Sequence, residues 1–294
     1  MIHSKQFKQV LCAIAFATLT VSSHSPVLAQ PADMPTHKVG PIEVRPIEDA
    51  LGEAKTVRSA LKMVLNGQLN RTKNLIKGSL TINLMADAAQ KRSSFTISGD
   101  LLSVVAGVGA GAFAPNRKFK EMGFYVVGDK SYFYMDTGEK LCTSSNAEAG
   151  TLNLMAEAFK PESLLNAMGT SASTAFSGEL VGEEKINGVQ TLHYKLDAAT
   201  MELMNAKSQN LSRLKGKITK GNIWVAVDGK YLVRLLQEGN GTISKMFQQQ
   251  DYIGRFGVQY DILAVNKTVN VKLPTSCNKP LKSFGADNPF NLSP

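Results

Sequence analysis

Three short turns, each flanked by residues of alternating polarity, constrain this chain more than any other feature. They are Gly128-Asp129, Asn187-Gly188 and Asp228-Gly229. Gly in the first position of a two-residue loop suits a type II′ turn, and Asn-Gly or Asp-Gly suits type I′. Both twist in the sense that antiparallel strands need. In the first hairpin Phe124 is predicted to face Phe133, and Val126 to face Ser131. Met122, Phe124, Val126, Phe133 and Met135 then share one face, while Tyr125, Tyr132 and Tyr134 share the other. The second register groups Val181, Leu192, Tyr194 and Leu196 and sends His193 to the opposite side. In the third, Trp224, Ala226, Tyr231, Val233 and Leu235 share a face. Ile223, Val225, Val227, Leu232 and Leu236 share the other, with Arg234 as its one charge. A hairpin apolar on both sides belongs inside a sheet.

Weaker signals fill in the rest. Residues 47–69 fit either one long helix or a short helix at 47–55 followed by a strand at 57–69, and the alternation of Leu61, Met63 and Leu65 with Lys62, Val64 and Asn66 favours the second. Leu80, Ile82 and Leu84 alternate with Thr81 and Asn83, and Phe95 and Ile97 continue that pattern. Leu152, Met155, Phe159, Leu164, Leu165 and Met168 have helical spacing with a break at Pro161, and 200–209 is a shorter amphipathic candidate. A last strand is expected at 258–273, where Val269, Val271 and Leu273 alternate with polar residues. Strands that come as hairpins argue for α+β over α/β: a strongly curved antiparallel sheet with a few helices on one face. Residues 47–276 read as one domain. A Pro-rich leader at 30–46 precedes it, and a polar tail at 277–294 follows.

The N-terminus has the layout of a secretory signal. Lys5 and Lys8 precede an apolar stretch at 10–21 that is too short to cross a bilayer, and cleavage is expected after Ala29. Cys12 follows Leu11, whereas lipid-attachment sites need a small residue there. An extracytoplasmic (periplasmic or secreted) chain results, left with Cys142 and Cys277. An even pair in an exported protein suggests a disulfide; two unrelated buried thiols are the plain alternative.

With 33 Lys+Arg against 24 Asp+Glu the chain carries a formal charge of +9. The basic residues gather at Arg213, Lys215, Lys217 and Lys220, and at Arg117, Lys118 and Lys120. Nucleic acid is an odd partner for an exported protein. Transient contact with an anionic membrane surface is a physical option, at about 1 kcal/mol per basic residue, and an ordinary solvated face is the simpler one. Catalytic chemistry is sparse. Beyond the signal only His37 and His193 remain, and no G-x-S-x-G, H-E-x-x-H or C-x-x-C occurs. The glycines from Gly107 to Gly111 fit a dinucleotide pattern, but Pro115 follows too soon for the long helix that pattern opens. Glu183 and Glu184 are adjacent on a strand and point to opposite faces. The reading is of a non-enzyme with no cofactor and no metal.

Several stretches carry a family resemblance: Tyr132-Phe133-Tyr134 after Gly128-Asp129, the run from Glu179 to Tyr194, Ile223-Trp224-Val225 with the run from Asp228 to Arg234, and the closing run from Val269 to Pro274. Over about 47–276 the chain resembles the LolA carriers and, more closely, the LppX/LprG-type lipoproteins. That resemblance implies an unclosed half-barrel whose concave face holds helices, with an apolar cavity for acyl chains between sheet and helices. It also implies a carrier of lipid or a similar hydrophobic ligand; a monomer is expected, although the sequence itself does not give the oligomeric state. The lipobox of the lipoprotein members is absent, which implies a non-lipidated shuttle or a wall-associated protein. The cavity liners expected are Phe124, Val126, Phe133, Leu192, Tyr194, Trp224 and Val233 from the sheet, with Met155 and Phe159 from the helices. The alternative is an envelope interaction module of the same fold whose core is filled by its own side chains.

Overall fold

In β2 (Thr56–Leu69) Ser59, Leu61, Met63, Leu65 and Leu69 are buried, while Lys62, Asn66 and Gln68 between them are more open to solvent. That period of two is the mark of a sheet with one covered face. The computed structural model describes residues 38–52, 54–103, 118–146, 176–211, 214–247 and 250–281. β1 (Lys38–Ile42) and the short helix α1 (Ile47–Leu51) precede β2, which continues into β3 (Leu75–Asp87) and β4 (Arg92–Ser98). A second meander follows: β5 (Glu121–Val127), β6 (Lys130–Asp136) and β7 (Lys140–Asn146). β8 (Phe176–Ile186) and β9 (Val189–Leu196) form a hairpin. Helix α2 (Ala198–Leu211) leads to β10 (Leu214–Ala226), β11 (Leu232–Phe247) and β12 (Gln250–Val265).

All twelve strands lie in one antiparallel sheet, ordered β1-β8-β9-β10-β11-β12-β2-β3-β4-β5-β6-β7. The pairing of β12 with β2 over their full lengths joins the C-terminal strands to the N-terminal meander. The three hairpins form at the expected turns, and the third lies inside the sheet between β9 and β12. The α+β expectation is corrected in two respects. The described chain is mostly β, because strands of up to 16 residues dominate helices of 5 and 14. The sheet is open, with β1 and β7 at its edges, and it is not strongly curled.

The last expected strand is also redrawn. β12 begins at Gln250 and ends at Val265. The chain then leaves the sheet: Asn266 donates its N–H to Thr56 O (2.9 Å), and the Thr56 hydroxyl donates to Lys267 O (2.7 Å). Residues 266–281 form a strap over the second, more polar face. Val271 and Cys277 are buried there with Tyr125, Tyr134 and Cys142, and Met85, Tyr132 and Leu273 pack around them. The strap ends against β7, where Leu281 donates its N–H to Cys142 O (2.8 Å). A Cys142–Cys277 disulfide fastens it. Part of the Pro-rich leader is likewise used, since Lys38 and Val39 of β1 pair with Glu179 and Gly178.

Candidate functional site

The covered face of the sheet carries a continuous apolar row, which ends on β8 at Leu180, itself 40% exposed. It runs Leu141, Met135, Met122, Ile97, Ile82, Leu61, Tyr260, Leu235, Ile223, Tyr194 and Leu180, each directly opposite the next on successive strands from β7 to β8. At about 4.8 Å between strands such a row is roughly 48 Å long, measured along the sheet. Among the described helices, α2 packs on β10 and β8 and buries Met204. Its 14 residues give it a length of about 21 Å.

Of the expected liners among the described residues, all but Trp224 fall beside this row. Phe124 and Phe133 oppose each other as anticipated and pack against the core while staying partly exposed; Val126, opposite Ser131, is fully buried. Leu192 and Tyr194 oppose Val225 and Ile223 on β10, and Val233 is fully buried. Met155 and Phe159 lie outside the described residues. Trp224 is the correction. The third hairpin starts in the expected register, with Val225 opposite Leu232, but Val233 is then an extra residue, so Ile223 opposes Leu235 and Trp224 opposes Arg234. This bulge has an electrostatic reason. Without it Arg234 would share the buried face with Ile223 and Val225, and a buried, unpaired guanidinium is costly. With it, the charge turns to the polar face and takes Trp224 along. A second bulge, between Leu180 and Gly182, removes Val181 from the apolar set and leaves it 52% exposed.

The displaced Trp224 anchors a polar chain that spacing alone did not reveal. His193 stacks on the indole with ring centroids 4.2 Å apart, and the indole N–H donates to Glu184. The His193 ring also places Nδ1 3.2 Å from Glu184 Oε1 and Nε2 3.0 Å from Asn222 Oδ1. On the other side the Arg234 guanidinium sits 5.6 Å from the indole centroid. Its Nε donates to Asp261 Oδ1 at 2.6 Å, and Gln259 Nε2 donates to Asp261 Oδ2, also at 2.6 Å. The β8–β9 tip reaches back to this side, because Asn187 Nδ2 donates to Ile262 O at 3.0 Å. The arrangement ties five strands together by side chains. It brings no nucleophile to His193 among the described interactions, and no group of three or more metal-ligating side chains occurs among the described residues.

Burial dominates the titration of the aromatic groups. It raises the phenols of Tyr125, Tyr134, Tyr194 and Tyr231. The Tyr252 phenol is pushed up to about 12, although the Asn66 N–H that donates to it pulls the other way. Glu121 is raised by burial first and by the charge of Asp136 second.

No family model matches the sequence, and no curated protein matches it. Among solved structures, the chain aligns with an uncharacterized conserved protein from Thermus thermophilus at 8% identity and a TM-score of 0.26, covering 78% of this chain and 90% of that one. It also aligns with a DUF1329 family protein from Desulfovibrio piger at 11% identity and a TM-score of 0.20, covering 74% and 88%.

Proposed function

We propose that this chain is an exported, non-enzymatic carrier of lipid or another long apolar ligand, held between the covered face of the sheet and its helices. The observation that carries the reading is the apolar row across eleven strands. A row more than twice as long as α2 suits an extended guest lying across the strands. Phe124, Val126, Phe133, Leu192, Tyr194 and Val233 line the site in this reading, and the open sheet forms the wall against which the ligand lies. Affinity comes from apolar area removed from water, about 0.8 kcal/mol per buried methylene, with little call for directional contacts. The N-terminal signal pattern and the Cys142–Cys277 disulfide agree with an oxidising compartment outside the cytoplasm.

The rival reading is an envelope interaction module with a self-filled core. Full burial of Val233, Leu235 and Ile223 favours it, since a closed core gives the same accessibility. An apolar fluorescent probe separates the two. A carrier brightens the probe saturably, fatty acid competes it off, and Leu192→Asp abolishes the signal. A self-filled core gives no saturable uptake.

A further inference from the structure

We infer that one corner of the polar face is a docking surface for an anionic lipid bilayer. At the end of the sheet where β2 turns into β3, Leu75, Gln68 and Ile253 stand directly opposite one another on β3, β2 and β12. Leu75 is 83% exposed and Ile253 43%, which makes Leu75 the most exposed large apolar residue described. Two residues further into the sheet, on the same face, Lys77, Asn66, Arg255, Asn240 and Lys217 form the next cross-strand row. Its cations alternate with amides, so they stand about 10 Å apart. The turn beyond Leu75 adds exposed Arg71 and Lys73.

Neither row contains a carboxylate. Two residues along the same face, Asp251 accepts from Asn70 at 3.4 Å and Glu238 pairs with Lys220 at 3.2 Å. Apolar side chains bracketed by cations on one face match the interface of an anionic membrane, where the aliphatic tips enter the acyl boundary and the cations stay among phosphates. A soluble polyanion fits less well, because it offers Leu75 and Ile253 nothing to enter. The carrier reading supplies the purpose of such a surface, loading or unloading a guest at a membrane, but the surface itself is independent of cargo.

The test is co-sedimentation of the disulfide-intact protein with vesicles. One set is phosphatidylcholine alone, and the other contains about one-third phosphatidylglycerol. The protein is expected to bind the anionic vesicles only, and to release as salt rises. Lys77→Gln, Lys217→Gln and Arg255→Gln together are expected to weaken binding by roughly a hundredfold, about fivefold per charge. Leu75→Ser alone, at a site too exposed to unfold the sheet, is expected to weaken it by about tenfold. Lys130→Gln with Lys185→Gln, at the opposite end of the strands, should stay within about twofold. Equal binding to neutral vesicles, binding to heparin without binding to vesicles, or an equal loss in the Lys130/Lys185 variant overturns the proposal. Failure of the vesicle assay leaves probe uptake unaffected, and failure of probe uptake leaves the vesicle assay unaffected, so the two readings fall separately.

Discussion

Val233 decides where the neighbouring side chains go. As the extra residue of the β11 bulge it turns Arg234 out of the core and into its bond with Asp261. Asp261 is itself buried, with a side chain only 10% exposed, so the pair stands or falls together. Arg234→Ala should cost about 3 kcal/mol in urea unfolding, because it strands the carboxylate; adding Asp261→Ala should recover most of that loss. Tyr252 offers a second residue-scale test. Its side chain lies across Gly67 and Gly254, where an added Cβ would come within 2.8 Å of the ring and 2.5 Å of the hydroxyl oxygen, respectively. Its hydroxyl donates to Arg255 O and accepts from Asn66 N–H. The phenol titrates near 12 in the fold against its ordinary 10, so between those values the native state holds a proton that the unfolded chain has lost. Stability from this group is present below pH 10 and is lost as pH rises toward 12. Denaturant midpoints should fall across that window in the native sequence and fall less steeply in Tyr252→Phe. An equal slope in both would remove the assignment. None of this was legible beforehand, since a bulge is set by the strand alongside and not by the residues on either side of it.

Elements were legible where their cause is local. The Gly128-Asp129 turn fixes its own register, and Phe124 opposite Phe133 followed from turn chemistry alone. The break between α1 and β2 was less readable, because apolar Val64 interrupts the alternation of Leu61, Met63 and Leu65 and leaves one long helix as a second fit to the pattern. The strap was not legible, because Val269, Val271 and Leu273 alternate whether they lie in a sheet or across one. What distinguishes the two is a distant partner, Cys142 on β7, and period-two alternation carries no information about that. The strap should depend on the bridge. A loop closed across 135 residues is worth about 4–5 kcal/mol on the chain-entropy model. Cys142→Ser with Cys277→Ser should lower stability by an amount of that order. Amide exchange should then rise first at 269–281 and at β6–β7, while β2, β11 and β12 keep their protection. Uniform exchange would mean the strap is no separate unit.

At the scale of the molecule, the antiparallel class and the central hairpin could be read from polarity patterns, but the order of the strands could not. The β12–β2 pairing joins distant parts of the chain through backbone bonds, which any two alternating strands can make. The candidate site was legible to the same extent: the placement of Phe124, Val126, Phe133, Leu192 and Tyr194 needed only correct hairpins, while that of Val233 and Trp224 needed the bulge. The account centres on an apolar face built for a guest. Native mass spectrometry of the protein, taken gently from its own host, addresses that most directly. A bound acyl-chain species that is lost on organic extraction, with the stripped protein regaining mass on exposure to lipid, is the outcome expected. A single peak at the polypeptide mass, unchanged by lipid, would instead mean that the face closes on the protein's own side chains.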